Sequence, residues 1–556
     1  MLNTKIISSN EKVFLDDSFD SFERLEKISA LKGERLCFQL IAKASADCHG
    51  FRHYGLSLDG ELAKYATVRK VESVPVTNPV STPDFSPYDD NYLRTKPGVY
   101  PDVLSPITED KRVFFSHILL YSLWIEVDIP KVCTEIGESR LTVTLEDSNG
   151  AKYTDGISVK VIDAVLPDQK LLLTQWFHCD CLASYYNVPV WSEEHWRIVE
   201  NFARTARANG INLLLTPVFT PPLDTEVGGE RLTNQLVKVT KRGDRYYFGY
   251  SLLDRWIDMC DRVGIEYFEI SHLFTQWGAK HAPKVMATVD GEYKRIFGWD
   301  IDATGEEYTY FLRSFIKSFL KHMKKRGDDK RCYFHISDEP SLEHLENYKA
   351  AKAVVEDLLE GYTMMDALSS YDFWTKGICQ TPIPVNDRIQ EFIDGKVPNL
   401  WTYYCCGQCV NVSNRLVAMP SWRNRSIGMQ LYKYDIVGFL QWGYNFYNNC
   451  RSRGTVNPYN DISGTNWVPA GDPFSVYPAA DGTAYESLRI VVFTEALQDL
   501  RAMQLCESYY SKEEVVCELE KILGCEIRFD RCAKSAKTVH AMRERINEMI
   551  DKAIKA

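Results

Sequence analysis

A chain of 556 residues has room for three or four units of ordinary domain size, or for one large enzyme-type domain with a smaller partner. Hydrophobic residues at 45% and charged residues at 25% exclude a disordered or fibrous protein, and a net charge of −11 argues against a broad nucleic-acid surface. The compositional oddity is 16 Cys alongside 12 Trp and 31 Tyr.

The first residues lack the 7 to 15 apolar residues of a secretory leader, and the most apolar windows, 117–127 and 171–177, are far short of a spanning helix. Cysteines in such a chain are expected to be reduced thiols of a cytoplasmic protein without a membrane partner. Cys179-Asp-Cys181 and Cys405-Cys406-Gly-Gln-Cys409 are weak zinc signals, because no second pair stands at ribbon spacing.

Up to about residue 165 the apolar period is two: Leu141, Val143 and Leu145 alternate with polar residues, as do Ile157, Val159 and Val161. Residues 34–44 and 119–130 read as further strands, and strands without intervening helices predict an antiparallel β-sandwich. Residues 75–106 carry seven prolines and are expected to form a long ordered loop or cover, since proline removes a ladder donor. Asp84, Tyr88 and Asp90 on it are candidates to reach a site formed by the following unit.

From residue 171 strands and helices alternate. Residues 171–179 are a strand; 192–209 a helix with Ser192 as N-cap and Gly210 as its stop. Residues 211–218 are a strand, 236–250 an inserted hairpin, 252–263 a helix closed by Gly264, and 265–274 a strand. A helix at 306–325, a strand at 331–337, a helix at 342–359 and a strand at 362–368 follow. Weak elements near 377–384, strands at 399–405 and 437–442, and a helix at 488–505 complete seven or eight units. No GxGxxG follows the first strand, and eight units favour a (β/α)8 TIM-type barrel over an open, doubly wound sheet. The predicted fold is thus multidomain, β plus α/β: a β-sandwich over 1–167, a barrel over 168–510 and a helical extension over 511–556.

Barrel chemistry sits just after the strands. After the first come Trp176, His178 and Asp180; after the third, His272, Phe274 and Trp277; after the fourth, His335-Ile-Ser-Asp338-Glu339-Pro340. Tyr403 and Tyr404 follow the seventh, and Trp442, Tyr444 and Asn445 the eighth. Aromatic planes with a carboxylate pair suit a sugar: rings stack on its C–H faces and carboxylates handle its hydroxyls and glycosidic oxygen. Adjacent side chains on a strand point to opposite faces, so Asp338 and Glu339 share a site only where the strand has ended. Pro340 is expected to hold Glu339 extended at such a break. On pattern alone, the alternative that 338–340 merely cap the following helix stands equally. His178, His272 and His335 also admit a metal site, though without an HExxH or a close ligand pair hydrogen bonding fits them better.

The stretch from His335 to Pro340 resembles the HxxDEP signature of glycoside hydrolase family 123 and of the related domain-of-unknown-function family 4091. Gly33-Glu-Arg-Leu-Cys-Phe-Gln-Leu40, Pro97-Gly-Val-Tyr-Pro-Asp102, Leu123-Trp-Ile-Glu-Val-Asp-Ile-Pro130, Gly438-Phe-Leu-Gln-Trp442 and Gly471-Asp-Pro-Phe-Ser-Val-Tyr-Pro478 resemble the same families in order. The resemblance spans residues 30 to 505. It implies a sandwich followed by a barrel, acting on terminal β-linked N-acetylgalactosamine or a related N-acetylhexosamine by substrate-assisted retention, without metal or organic cofactor. Transferred by position, Glu339 is the acid and base, and Asp338 orients the 2-acetamido group. Trp176, His178, His272, Trp277, His335, Tyr403, Trp442 and Asn445 are the candidate substrate-binding residues. The partner is a small saccharide or glycoconjugate. A catalytically idle barrel that binds glycans or scaffolds another protein, and a glycosidase of other sugar specificity, are the alternatives.

Overall fold

The computed structural model describes residues 2–45, 51–80 and 88–556. Its N-terminal part is all β. Strands β1 (Leu2–Ser8), β2 (Lys27–Lys32), β3 (Arg35–Ala44), β4 (Phe51–Asp59), β5 (Ala66–Val76), β6 (Gly98–Pro106), β7 (Arg112–Ser116), β8 (Tyr121–Asp128), β9 (Gly137–Asp147) and β10 (Lys152–Val165) form two five-stranded sheets, β1-β3-β8-β5-β6 and β2-β10-β9-β4-β7. The alternation seen in the sequence is what joins them. Leu141, Val143 and Leu145 of one sheet and Leu40, Leu123 and Ile125 of the other bury their side chains in one apolar cluster.

Two expectations for this part are corrected. One pair, β2 with β10, is parallel, so the sheets are not wholly antiparallel. The proline-rich stretch also enters strands: Pro75 is the last residue but one of β5, and Pro101 and Pro106 lie in β6. They are tolerated because β6 is a sheet edge and the β5–β6 register shifts at Ser73 and Pro101, where a missing N–H costs little. Asp84 lies outside the described residues; Tyr88 is exposed and packs edge-on against Tyr92.

The second part alternates strands and helices. The short strands β11 (Leu172–Gln175), β12 (Leu213–Thr216), β15 (Tyr267–Ile270), β18 (Cys332–Phe334), β19 (Thr363–Ala367), β20 (Thr381–Ile383), β21 (Trp401–Tyr403) and β22 (Gly438–Gln441) pair in parallel in the order β12-β15-β18-β19-β20 and β11-β22-β21. The two groups meet at both ends. Asn212 exchanges hydrogen bonds with Leu173 (N to O 3.2 Å, and Leu173 N to Oδ1 2.8 Å), and Val385 bridges Tyr403 in parallel.

Besides the short helices α1 (Cys179–Tyr186), α6 (Asp372–Thr375), α7 (Gln390–Asp394), α8 (Ser421–Arg425) and α9 (Ile427–Lys433), the helices follow their local signals. In α2 (Glu193–Ala208) the Ser192 hydroxyl accepts the His195 N–H, and α3 (Ser251–Val263) and α4 (Glu306–Arg326) end on Gly264 and Gly327 in the left-handed conformation. The helix expected over 342–359 is shorter: a 3₁₀ turn leads into α5 (Leu345–Ala353), and looser turns replace its last part.

The inserted hairpin, β13 (Lys238–Arg242) and β14 (Arg245–Gly249), is joined by a second, β16 (Val285–Val289) and β17 (Glu292–Phe297), in one four-stranded sheet. After a final short hairpin, β23 (Val476–Pro478) and β24 (Ala484–Glu486), comes α10 (Leu488–Cys506), then α11 (Lys512–Leu523) and α12 (Ala536–Lys555). α12 is packed: Arg543 pairs with Glu34 at 2.7 Å, and Glu544 accepts the Ser29 N–H and hydroxyl, each at 2.8 Å. The fifteen cysteines among the described residues are unbridged, and none of the described helices is long and apolar enough to cross a membrane.

Candidate active site

The site begins with two carboxylates inside apolar strands. Glu269 of β15 and Asp366 of β19 are wholly buried, and His335 bridges them, Nε2 to Glu269 at 2.7 Å and Nδ1 to Asp366 at 3.2 Å. Burial alone would push the His335 ring down; the hydrogen bonds and charges of Asp366 and Glu269 outweigh it and raise the ring to about 10, so it is an imidazolium. Each carboxylate then holds part of the cleft floor. Glu269 accepts the Trp176 indole N–H (2.7 Å) and the Thr174 hydroxyl. Asp366 accepts the backbone N–H of Ile336 (3.0 Å) and Ser337 (3.2 Å) and the Tyr348 hydroxyl (2.5 Å).

This clamp sets the turn that follows β18. Asp338 C=O accepts the Trp277 N–H (2.9 Å) and Glu339 N–H donates to Ala367 C=O (3.0 Å), so neighbouring strand ends grip the turn from both sides. Glu339 stands at φ +44°, in the left-handed region. The extended conformation expected from Pro340 is therefore corrected: the two backbone bonds over-determine the turn against the local preference. The helix-capping alternative also falls away. The next turn starts at Ser341, whose N–H bonds His344 Nδ1 (3.2 Å), and Glu339 Oε1 instead accepts the Tyr403 hydroxyl at 2.7 Å.

Asp338 and Glu339 open into one cleft of about 720 Å³ including its mouth. Its aromatic walls are Trp176, Trp277, Tyr403, Trp442 and Trp467, with Cys405, Cys406 and Asp224 beside them. Four of the eight proposed substrate-binding residues (Trp176, Trp277, Tyr403 and Trp442) thus gather at the carboxylate pair.

The other four do not line the cleft, which corrects their assignment. His335 is the imidazolium beneath the floor. His272 is buried, stacks on His335 at 4.3 Å between centroids, and is held neutral by burial and that neighbouring charge. His178 donates Nε2–H to Trp442 C=O (2.9 Å) and accepts from Arg231 on Nδ1 (3.1 Å); burial, then the Arg231 charge, lowers it to about 3. Asn445 accepts the His178 N–H (2.8 Å) and donates to its C=O (3.2 Å), tying the ends of β11 and β22 together. These four position the walls. They are polar groups at strand ends, but the pleat and the bends after each strand turn them away from the opening.

Electrostatically the cleft is acidic. Burial, then the charges of Glu339 and Asp224, holds Asp338 well above the carboxylate range. Burial, with Glu339 and Asp472 adding and Arg231 opposing, raises Asp224 to about 7. Burial raises Asp472 to about 6 while it accepts the Trp442 indole N–H at 2.9 Å. Glu339 is exposed at the mouth while Asp338 and Asp224 are half-buried behind it, so the crowding falls on these inner carboxylates and favours a retained proton near neutrality. Among the described residues no group of three or more His, Cys, Asp and Glu is arranged to hold a metal ion.

Sequence reasoning missed Glu269, Asp366 and Asp224. The first two did leave a signal, a charged residue inside a short apolar strand, which is buried only when paired. Asp224 left none, since it sits on the long loop after β12 among other acidic residues.

The family model described as the catalytic domain of glycoside hydrolase 123 matches residues 176–506, more than half of the chain. In structure the chain is similar to a family 123 glycoside hydrolase from Clostridium perfringens, solved to detail glycolipid glycan hydrolysis. The TM-score is 0.76 at 16% sequence identity, covering 100% of this chain and 99% of that one. At that identity the likeness speaks to the fold. A putative glycoside hydrolase from Bacteroides vulgatus aligns over 87% of this chain and 79% of its own, with a TM-score of 0.30 and 10% identity, too distant to carry an argument. No curated protein matches the sequence.

Proposed function

The chain belongs to glycoside hydrolase family 123, and from that premise we propose that it is an exo-acting, retaining glycosidase that removes terminal β-linked N-acetylgalactosamine, or a related N-acetylhexosamine, by substrate-assisted catalysis. The observation that carries this is the meeting of Asp338 and Glu339 in one aromatic-walled cleft, with a proton held among its carboxylates. In the first step the proton held between the paired carboxylates is delivered through Glu339 to the glycosidic oxygen, which leaves Asp338 ionised. The substrate's acetamido oxygen attacks the anomeric carbon as the aglycone leaves, and an oxazolinium forms. Asp338 accepts the acetamido N–H, orients the group and balances its developing positive charge. In the second step the Glu339 carboxylate takes a proton from water, the water oxygen attacks the anomeric carbon and the ring opens. Two inversions give retention. Tyr403 fixes Glu339 through its hydroxyl, and the tryptophans supply stacking faces.

The same proposal treats the two N-terminal sheets as a sandwich over 1–167, the ring of eight parallel strands as a (β/α)8 barrel over 168–510, and 511–556 as a helical extension. The pairings at both ends of the ring support it, because they leave no open strand edge. A reducing compartment belongs to it too, supported by the unbridged thiols. The glycan end of a glycolipid, the substrate of the Clostridium relative, is a candidate substrate.

A panel of aryl β-glycosides tests the mechanism. The aryl N-acetylgalactosaminide should be cleaved and the plain galactoside spared, with a loss of about 10²- to 10⁴-fold in Glu339→Gln and a large loss in Asp338→Asn. Equal cleavage of both sugars would remove substrate assistance. Cleavage of none, with glycans still bound, would leave an idle binding protein.

A further inference from the structure

Asp224 is a third carboxylate of the cleft and has no part in the mechanism above. Its backbone is pinned from several directions. Its N–H donates to Gln276 Oε1 at 2.7 Å, its C=O accepts the Ser452 hydroxyl at 2.8 Å, and the adjoining Leu223 C=O accepts from Arg231 at 3.1 Å. It is held at φ +45°, a left-handed conformation that glycine and asparagine adopt more readily. The side chain, by contrast, receives no hydrogen bond from any described residue, and no Lys, Arg or His lines the cleft with it.

A left-handed backbone, partial loss of water and the repulsion of Glu339 and Asp472 fall on this half-buried residue, and the charge of Arg231, which makes its hydrogen bonds to Asp180, His178 and the Leu223 C=O, opposes them only in part. A turn that needed only the backbone conformation would be served by Gly or Asn. A structural buried carboxylate would be paired, as Asp472 is by Trp442 and by Gln441 Nε2 at 3.1 Å. Asp224 is neither, and a rigid acceptor without a donor, facing a cleft of stacking rings, is built to meet donors that arrive with the ligand.

We propose that Asp224 is a substrate-binding residue whose carboxylate accepts hydrogen bonds from ring hydroxyls of the sugar, selecting neutral sugars with those hydroxyls free over sulfated, carboxylated or deoxy ones. This rests on the saccharide-processing assignment of the cleft but not on its chemical steps. A charge-assisted hydrogen bond in a site that would otherwise leave its acceptor unmet is worth about 10- to 100-fold in binding.

Calorimetry separates the two. Methyl β-N-acetylgalactosaminide and its 3-, 4- and 6-deoxy analogues are titrated into Glu339→Gln protein, which holds sugar without cleaving it, and into the same protein carrying Asp224→Ala or Asp224→Asn. Asp224→Ala should weaken the parent sugar by about 10- to 100-fold. Removing at least one hydroxyl should cost the Asp224 protein as much, and the Asp224→Ala protein less than about 2-fold, the coupling expected of a direct contact. Asp224→Asn keeps the shape and tolerates the left-handed backbone; it should melt no lower than its parent and give an intermediate loss. Parallel losses for every analogue with and without Asp224, a drop of many degrees in Asp224→Asn, or no sugar binding by any protein would each overturn the proposal. Coupled binding in a wild type that cleaves no glycoside would uphold Asp224 and remove the glycosidase mechanism instead.

Discussion

His335 shows how one side chain can organise a site from beneath its floor. Standing between Glu269 and Asp366, it supplies the one positive charge among two buried carboxylates, and through them it fixes the Trp176 indole and the turn bearing Asp338. His335→Ala is expected to cost about 3–5 kcal/mol, because removing one member of a buried ionic network leaves the others uncompensated. Its folded pKa is raised, so its contribution is complete below about pH 6.5, shrinks as pH rises towards 10 and is gone above. Thermal melting of wild type and variant should differ widely at pH 6 and converge near pH 10; a gap independent of pH would mean that the ring is neutral. Tyr403→Phe makes a milder test. Loss of its bond to Glu339 should lower kcat about 10-fold with KM little moved, since the bond orients the acid and leaves the stacking walls intact.

Elements, more than single residues, decide what was legible in the sequence. The helices α2, α3 and α4 were readable because caps and apolar periods are local: Ser192, Gly264 and Gly327 act where they stand. Asp338 and Glu339 were readable for the same reason, as a carboxylate pair at a strand end. The second hairpin was readable but overlooked: Asp290-Gly291 between alternating residues is a strong two-residue turn signal, and both residues take positive φ. The histidines misled because a strand end fixes a residue's place along the chain but not which way the bend turns it. Helix α10 illustrates the non-local remainder. It is buried on nearly every side, even at Arg489, Glu495 and Gln498, which no amphipathic pattern predicts. Gln498 bonds both the N–H (2.8 Å) and the C=O (2.9 Å) of Arg35 on β3. Gln498→Ala should lower stability by about 2 kcal/mol, measured by denaturant unfolding, because it leaves two buried backbone groups without partners; a change near zero would mean that water replaces the amide.

Across the whole molecule, a single carboxylate gathers the parts. Glu486, at the end of β24, meets Arg69 of β5 at 2.5 Å, Arg35 of β3 at 3.3 Å and Asn209, just past α2, at 2.5 Å. One side chain thus ties the sheet bearing β3 and β5 to the helix layer around the parallel strands, on the side away from the cleft. Burial opposes its ionisation, but the charges of Arg69 and Arg35 outweigh that and lower it to about 2. A carboxylate depressed in the folded state contributes stability above its unfolded pKa, near 4.5, and loses it as pH falls towards 2. Glu486→Gln should therefore melt well below wild type at pH 7, by an amount on the order of 3 kcal/mol for a broken buried network, and the gap should close between pH 4.5 and 2. If the two parts are coupled mainly through this cluster, the variant at pH 7 should also unfold in two separated transitions where wild type shows one. A single transition that merely shifts would assign the coupling to α10 and α12, whose contacts with β3 and with β2 and β10 would then hold the molecule together without it.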